Sequence, residues 1–105
     1  MASEAQIKQF LSNDDALTLL KTVDMLNPAH ISPSKCCNIK TISSVMGKGL
    51  KDTWNLVNQG LDCGLLMTYG GILSRRRVDL TDVGERFCEC TTANEIKMVI
   101  NDVKD

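Results

Sequence analysis

Aromatic residues and long apolar runs are both scarce in this sequence, and each scarcity excludes a class of protein. Only 4% of the residues are aromatic, whereas proteins that stack single-stranded bases use several aromatic platforms. No apolar run approaches the roughly 18 residues of a membrane-spanning helix. Residues 1–10 also lack the basic and then apolar order of a secretory signal. We therefore expect a cytoplasmic protein without a membrane segment.

Proline and glycine are also few, at two and seven residues, which excludes a collagen-like chain or a flexible linker. The composition is otherwise that of a globular domain, with 43% hydrophobic and 24% charged residues. A chain of 105 residues has the length of one domain. We therefore expect residues 1–105 to form a single domain around one hydrophobic core.

The chain lacks the motifs by which common enzyme classes are recognised. It contains no nucleophile elbow, phosphate-binding loop, paired-carboxylate motif or H-E-x-x-H metal motif. Its one histidine, His30, has no neighbouring ligand motif and is expected to be structural or merely exposed, and not catalytic. A domain of 11.6 kDa also seldom encloses a substrate pocket alone. The sequence therefore predicts a protein that is not an enzyme and has no cofactor.

Five cysteines are many for a chain of this length, and they stand as Cys36-Cys37, Cys63 and Cys88-x-Cys90. An odd count without a secretory signal argues against a disulfide scaffold. Neither pair has the C-x-x-C spacing of a zinc site, so no metal site is expected. Two interpretations stay open. Free cysteine is a common small core residue, whereas Cys36, Cys37, Cys88 and Cys90 form a thiol or metal site if the pairs meet in space.

The charges are segregated along the chain although the net charge is only −1. Residues 35–77 contain seven basic and two acidic residues, a net of +5. The remainder contains five basic and eleven acidic residues, a net of −6. A basic segment of this kind attracts polyanions, and the acidic ends orient their approach.

Helix start and stop signals alternate along the chain and predict the order of its elements. Pairs of Ser or Thr with an acidic or amide residue three positions later are typical of N-caps, and glycine favours the position that ends a helix. The pair Gly70-Gly71 indicates a hairpin turn. The predicted elements are a helix at about 4–11, a helix at about 13–26, a brief edge strand at 29–31, a helix that starts near 33 or as late as 38 and ends at 46, a helix at about 50–62, strands at about 65–69 and 75–80, a helix after 81, and a helix at about 93–104.

The helix predicted at 50–62 is amphipathic. Its inner face is predicted from the apolar residues that recur at helical spacing, which are Leu50, Trp54, Val57 and Leu61. Gly60 is an unfavourable residue inside it and costs about 1 kcal/mol relative to alanine. The predicted outer face, with Lys48 just before the helix, consists of Lys51, Asp52, Asn55, Asn58 and Gln59.

Two segments carry a family resemblance. The stretch ISSVMGKGLKDTWNLVNQGLDCGLL, with Gly47 and Gly64 closing its two helices, resembles the helix-turn-helix of small prokaryotic winged-helix regulators. The stretch VDLTDVGERF, with Leu80, Thr81 and Gly84, resembles the segment that follows the wing in MarR-like and PadR-like regulators. The resemblance covers about residues 14–90. It implies an α+β, mainly α fold: a winged helix-turn-helix with a β-hairpin wing and extra N- and C-terminal helices.

This resemblance implies a sequence-specific transcriptional regulator that binds double-stranded DNA. The helix at about 50–62 is expected in the major groove, where asparagine and glutamine suit adenine edges and lysine suits guanine or phosphate. The wing at about 65–80 is expected on the backbone or in the minor groove, which arginine suits. The predicted DNA-binding residues are Lys48, Lys51, Asn55, Asn58, Gln59, Arg75, Arg76 and Arg77.

The terminal helices lie outside the winged-helix unit, and each has an apolar stripe. They are expected either to pair across a two-fold axis in a homodimer or to pack on their own domain. Two alternative functions stay open as well. One is a winged-helix module for protein–protein interaction, because a fold does not determine a function. The other is a repressor that responds to thiol oxidation or to a metal through its cysteines.

Overall fold

The computed structural model describes residues 4–26, 37–70, 72 and 76–104. The described elements are α1 (Glu4–Leu11), α2 (Asp14–Leu26), α3 (Ile39–Met46), α4 (Leu50–Asp62), β1 (Leu66–Tyr69), β2 (Arg77–Leu80), α5 (Asp82–Cys88) and α6 (Ala93–Lys104). The predicted α+β class with a mainly helical content is therefore confirmed. Four predictions fall outside the described residues: the edge strand at 29–31, the role of His30, and the parts assigned to Cys36 and Arg75.

Helix α3 begins late, at the second of its two predicted starts. The side chain of Asn38 caps it by accepting a hydrogen bond from the Thr41 N–H at 2.9 Å. The helix ends at Gly47, whose φ of 69° lies in the left-handed region that glycine adopts at little cost. Because Gly47 ends α3 and α4 begins three residues later, the two helices are joined by a short turn.

Strands β1 and β2 form an antiparallel hairpin in which Leu66 pairs with Leu80 and Tyr69 pairs with Arg77. The chain just before α3 extends this sheet on the β2 side. Asn38 forms an isolated antiparallel bridge with Arg77, and the Val78 N–H donates to the Cys37 carbonyl at 2.9 Å. Backbone pairing therefore connects the hairpin to the residues that precede α3.

The core lies between α2, α3, α4, α5 and the inner face of the hairpin. Its largest fully buried side chains come from every one of these elements. They include Leu19, Leu20, Val23, Ile39, Ile42, Val57, Leu65, Val78 and Phe87. On β2 the predicted alternation is confirmed, because Val78 and Leu80 are buried while Arg77 and Asp79 are half-exposed.

Helix α4 buries a different face from the one predicted. Thr53, Leu56, Val57 and Gly60 are its buried residues, whereas Leu50 is 46% exposed and Trp54 and Leu61 are only partly buried. Apolar spacing failed here because two small or polar residues occupy the centre of the face. Thr53 is accommodated because its hydroxyl donates to the Gly49 carbonyl at 2.9 Å.

Gly60 is required by close packing, although the sequence marked it as an unfavourable helix residue. A Cβ at this position would lie 2.5 Å from Leu66 Cδ1 and 3.4 Å from Phe10 Cζ. Strand β1 and helix α1 therefore both approach the backbone of α4 where it has no side chain.

The two terminal helices pack on their own domain to different extents. All three apolar residues of the α1 stripe, Ile7, Phe10 and Leu11, are buried. On α6, Ile100 is buried, whereas Ile96 and Val99 are half-buried. Helix α1 therefore packs its whole apolar stripe on its own domain, which is one of the two arrangements expected for the terminal helices.

Within the described ranges, no helix has both the length and the apolar character that crossing a lipid bilayer demands.

Gly84 gives the first stability prediction. A Cβ at Gly84 would lie 2.0 Å from the Leu65 carbonyl oxygen, which is backbone and cannot rotate away. We expect Gly84→Ala to lower the free energy of unfolding by about 3 kcal/mol or more. Gly60→Ala must displace the side chain of Leu66 and contacts Phe10, but these are side chains that can shift and alanine gains helix propensity, so we expect a smaller loss of about 1 kcal/mol. Urea denaturation followed by circular dichroism measures both, and equal losses would contradict the packing described.

Candidate nucleic-acid interface

The outward side of α4 carries a row of polar side chains opposite the buried face. Lys51, Asn55, Asn58 and Asp62 are spaced four, three and four residues apart, so they lie along one line of the helix surface. All four are exposed. Three of them belong to the predicted DNA-binding set, so the structure does bring Lys51, Asn55 and Asn58 together.

Gln59 is also exposed, but it lies to one side of this row, toward α1. It lines two neighbouring cavities of about 300 Å³ and about 160 Å³ that form a groove between α4 and the first two helices. The residues that line this groove from α1, the α1–α2 turn and the start of α2 are Gln6, Gln9, Phe10, Asn13 and Asp15. Sequence analysis did not predict these residues, because only the packing of α1 and α2 against α4 brings them next to the polar row of α4.

Lys48 is held in an ion pair instead of being free, which alters its predicted role. Its Nζ lies 2.6 Å from the Asp15 Oδ2 at the start of α2. The pKa of Lys48 is raised above 10.5, first by the hydrogen bond with Asp15 and further by the charges of Asp15 and Asp52. Both backbone groups of Lys48 are bonded to Ser43: its N–H donates to the Ser43 carbonyl, and its carbonyl accepts from the Ser43 hydroxyl.

The charges on α4 itself do not sum to a basic surface. Its exposed charged residues are Lys51, Asp52 and Asp62, and Lys48 beside it is neutralised by Asp15. The expected cationic ridge is thus reduced on this helix to Lys51. The other basic residues of the segment lie on α3, where Lys40 is exposed, in the hairpin, and in residues outside the described ranges.

Two of the three predicted wing arginines fall within the described residues. Arg76 is exposed directly before β2, and Arg77 is half-buried where it pairs with Tyr69. The hydroxyl of Tyr69 is buried and has no hydrogen-bond partner among the described residues. Tyr69 therefore packs within the hairpin, while Arg76 is available to an anionic partner.

The described cysteines are buried and donate their thiol protons to backbone carbonyls. The Cys88 thiol donates to Leu20 at 3.6 Å, and the Cys37 thiol donates to Val23 at 4.0 Å. Burial raises the pKa of Cys88 to about 11 and also raises the pKa of Cys90. A thiol of this kind is a poor nucleophile and a poor metal ligand at neutral pH. In the described parts of the chain, no three His, Cys, Asp or Glu side chains converge on a metal-binding cluster.

The Cys88 pKa generates a pH prediction. Between pH 9.0 and about 11 the folded state keeps the Cys88 proton while the unfolded chain loses it, so stability falls as the pH rises through this range. We expect the stability difference between the wild type and Cys88→Ala to be constant below pH 9 and to shrink above it. Urea denaturation of both proteins from pH 7 to pH 11 measures this difference. Parallel pH profiles would show that Cys88 ionises alike in both states.

Comparisons of this chain with protein-family models, with curated proteins and with solved structures gave no match. The resemblance to MarR-like and PadR-like regulators therefore stays a prediction carried by two sequence segments. The functional proposal below depends on the arrangement of α4 and the hairpin.

Proposed function

We propose that the chain is a winged helix-turn-helix regulator that binds double-stranded DNA in a sequence-dependent manner. Helix α4 lies in the major groove, and the β1–β2 hairpin acts as the wing on the backbone or in the minor groove. The observation that carries this proposal is the exposed row of Lys51, Asn55 and Asn58 on the helix that follows a short inter-helix turn.

The order of elements supports the winged-helix interpretation. A helix is followed by a bridge residue, two helices joined through Gly47, and an antiparallel hairpin. The bridge between Asn38 and Arg77 adds a third, minimal strand next to β2. This order places the second helix of the pair and the hairpin next to each other in the chain, as a winged helix requires.

The chemistry of the α4 row suits base edges. An α-helix with its side chains is about 10–12 Å wide, which matches a major groove about 12 Å wide. The carboxamides of Asn55 and Asn58 have the donor and acceptor that pair with adenine, and Lys51 suits guanine or phosphate. The exposed Arg76 of the hairpin provides a guanidinium for phosphate at a second point.

A protein-interaction module is the second candidate, and the charges of α4 favour it. Asp62 ends the polar row and Asp52 lies beside it, and carboxylates oppose a phosphate backbone. Duplex binding at two salt concentrations separates the two functions. A DNA-binding dimer with roughly 4 to 8 phosphate contacts loses affinity steeply as salt rises, whereas an interaction module binds no duplex at either concentration.

The DNA-binding proposal predicts different effects for two alanine variants. We expect Arg76→Ala to weaken binding to all duplexes alike, because phosphate contacts carry no sequence information. We expect Asn55→Ala to relax the preference at one base position at a cost of about 1–3 kcal/mol. Selection of bound duplexes from a random pool, followed by titration of the selected duplex, measures both effects.

Lys21→Ala is the matched control for the loss of a cation, because it removes an exposed lysine from α2, outside α4, the hairpin and α6. This variant is expected to bind like the wild type. If Arg76→Ala and Asn55→Ala also retain wild-type affinity and selectivity, the assigned DNA-binding face is wrong.

We also propose that the regulator is a homodimer that forms through α6. The outward side of α6 carries Met98, which is 67% exposed, whereas Ile96, Val99 and Ile100 form the stripe that packs on the rest of the chain. For such a dimer to bind two half-sites, its two copies of α4 must lie about one DNA turn, roughly 34 Å, apart.

The dimer proposal predicts that Met98→Glu yields a monomer with unchanged unfolding free energy per chain at low concentration, because Met98 contributes little to its own core. Analytical ultracentrifugation of the wild type and of Met98→Glu measures the association. The control is Lys97→Glu, which places a carboxylate at an adjacent exposed position and is expected to remain dimeric. A wild type that sediments as a monomer at all concentrations would contradict the dimer.

A further inference from the structure

The ion pair between Lys48 and Asp15 joins two parts of the chain that the proposed DNA interface uses together. Lys48 belongs to the turn before α4, and Asp15 belongs to the first turn of α2. Their charged atoms are 2.6 Å apart at the edge of the groove that also contains Asp52, Asn55 and Gln59. If α4 lies in the major groove, this ion pair is at the end of α4 from which Lys48 would contact a backbone phosphate.

Hydrogen bonds hold the backbone of Lys48 in place at the turn before α4. Both backbone bonds of Lys48 go to Ser43, and the adjacent Gly49 carbonyl accepts from both the N–H and the hydroxyl of buried Thr53. The Lys48 side chain is 29% exposed, less than the 45% of Asp15. The side chain of Lys48 is therefore less exposed than that of Asp15, and its ammonium group is paired with a carboxylate of the same chain.

We propose that Asp15 is a specificity-determining residue that withholds Lys48 from the phosphate backbone. Contacts to phosphate raise affinity for every duplex alike, whereas contacts to base edges discriminate among sequences. By neutralising Lys48, Asp15 lowers binding to unrelated duplexes and leaves discrimination to Asn55 and Asn58. This inference rests on the proposed function, since it assigns a role within the same DNA interface.

Asp14 provides a matched control for this role. It lies next to Asp15 in the first turn of α2, is exposed, and has no ion pair among the described residues. Asp14→Asn and Asp15→Asn therefore change the net charge and the charge at the helix N-terminus equally. They differ in that only Asp15→Asn releases Lys48.

The experiment measures binding of the wild type, Asp14→Asn, Asp15→Asn, Lys48→Gln and the double variant Asp15→Asn/Lys48→Gln. Each protein is titrated with a duplex that the wild type selects from a random pool and with a scrambled duplex, at 50 and 200 mM salt. One added phosphate contact per protomer steepens the plot of log affinity against log salt concentration by about 0.9. The affinity then falls about 3.5-fold further between these two concentrations. We expect this change for Asp15→Asn on the scrambled duplex, together with a lower ratio of selected to scrambled affinity.

In the Lys48→Gln background, Asp15→Asn is expected to produce no more than the small change seen for Asp14→Asn. An equal effect of Asp14→Asn and Asp15→Asn overturns the role of Asp15, and so does an Asp15→Asn effect that persists without Lys48. Either result leaves the proposed function standing. If the random pool yields no bound duplex and no variant binds DNA, the proposed function fails and this inference fails with it.

Discussion

The close approach of α1 and β1 to the backbone of α4 at Gly60 is the contact on which the rest of the interface depends. Leu66 and Phe10 occupy the space that a side chain at position 60 would fill. Gly60 is one of the four buried residues of α4, with Thr53, Leu56 and Val57, and together they determine which side of the helix faces the core. With that side buried, Lys51, Asn55 and Asn58 face away from the core.

The same contact places α1 beside the polar row of α4. Phe10 lies against Gly60, and the Cys63 thiol donates to the Gln6 carbonyl at 3.6 Å, so α1 follows the second half of α4. The turn after α1 then carries Asp15 to Lys48. Helix α1, for which the sequence left dimerisation and packing on its own domain open, thereby forms a wall of the groove beside the proposed DNA interface.

The electrostatics of the interface follow from this packing as much as from composition. Residues 35–77 are strongly basic as a segment, yet an acidic residue from outside the segment neutralises Lys48. In the proposed complex, affinity then depends on the hairpin arginine Arg76 and on Lys51, while discrimination depends on Asn55 and Asn58. A DNA-binding surface with few free cations gains specificity at the expense of affinity for unrelated duplexes.

The sequence by itself determined the elements whose signals are local. The N-cap of α3 at Asn38 was one of the two predicted starts of that helix, and the end of α3 at Gly47, the hairpin and the alternation on β2 were predicted correctly. Each depends on backbone preferences or side-chain periodicity within a few residues. The exposure of Lys51, Asn55 and Asn58 was also correct, because polar residues on that side of α4 satisfied the helical period.

Only the tertiary structure decided which face of α4 is buried and what neutralises Lys48. The buried face is centred on Thr53 and Gly60, which no apolar periodicity selects, since one is polar and the other has no side chain. Asp15 lies 33 positions before Lys48, and their contact exists because α1 and α2 fold back onto α4. Contacts between residues so far apart depend on the packing of whole helices, which a local pattern does not specify.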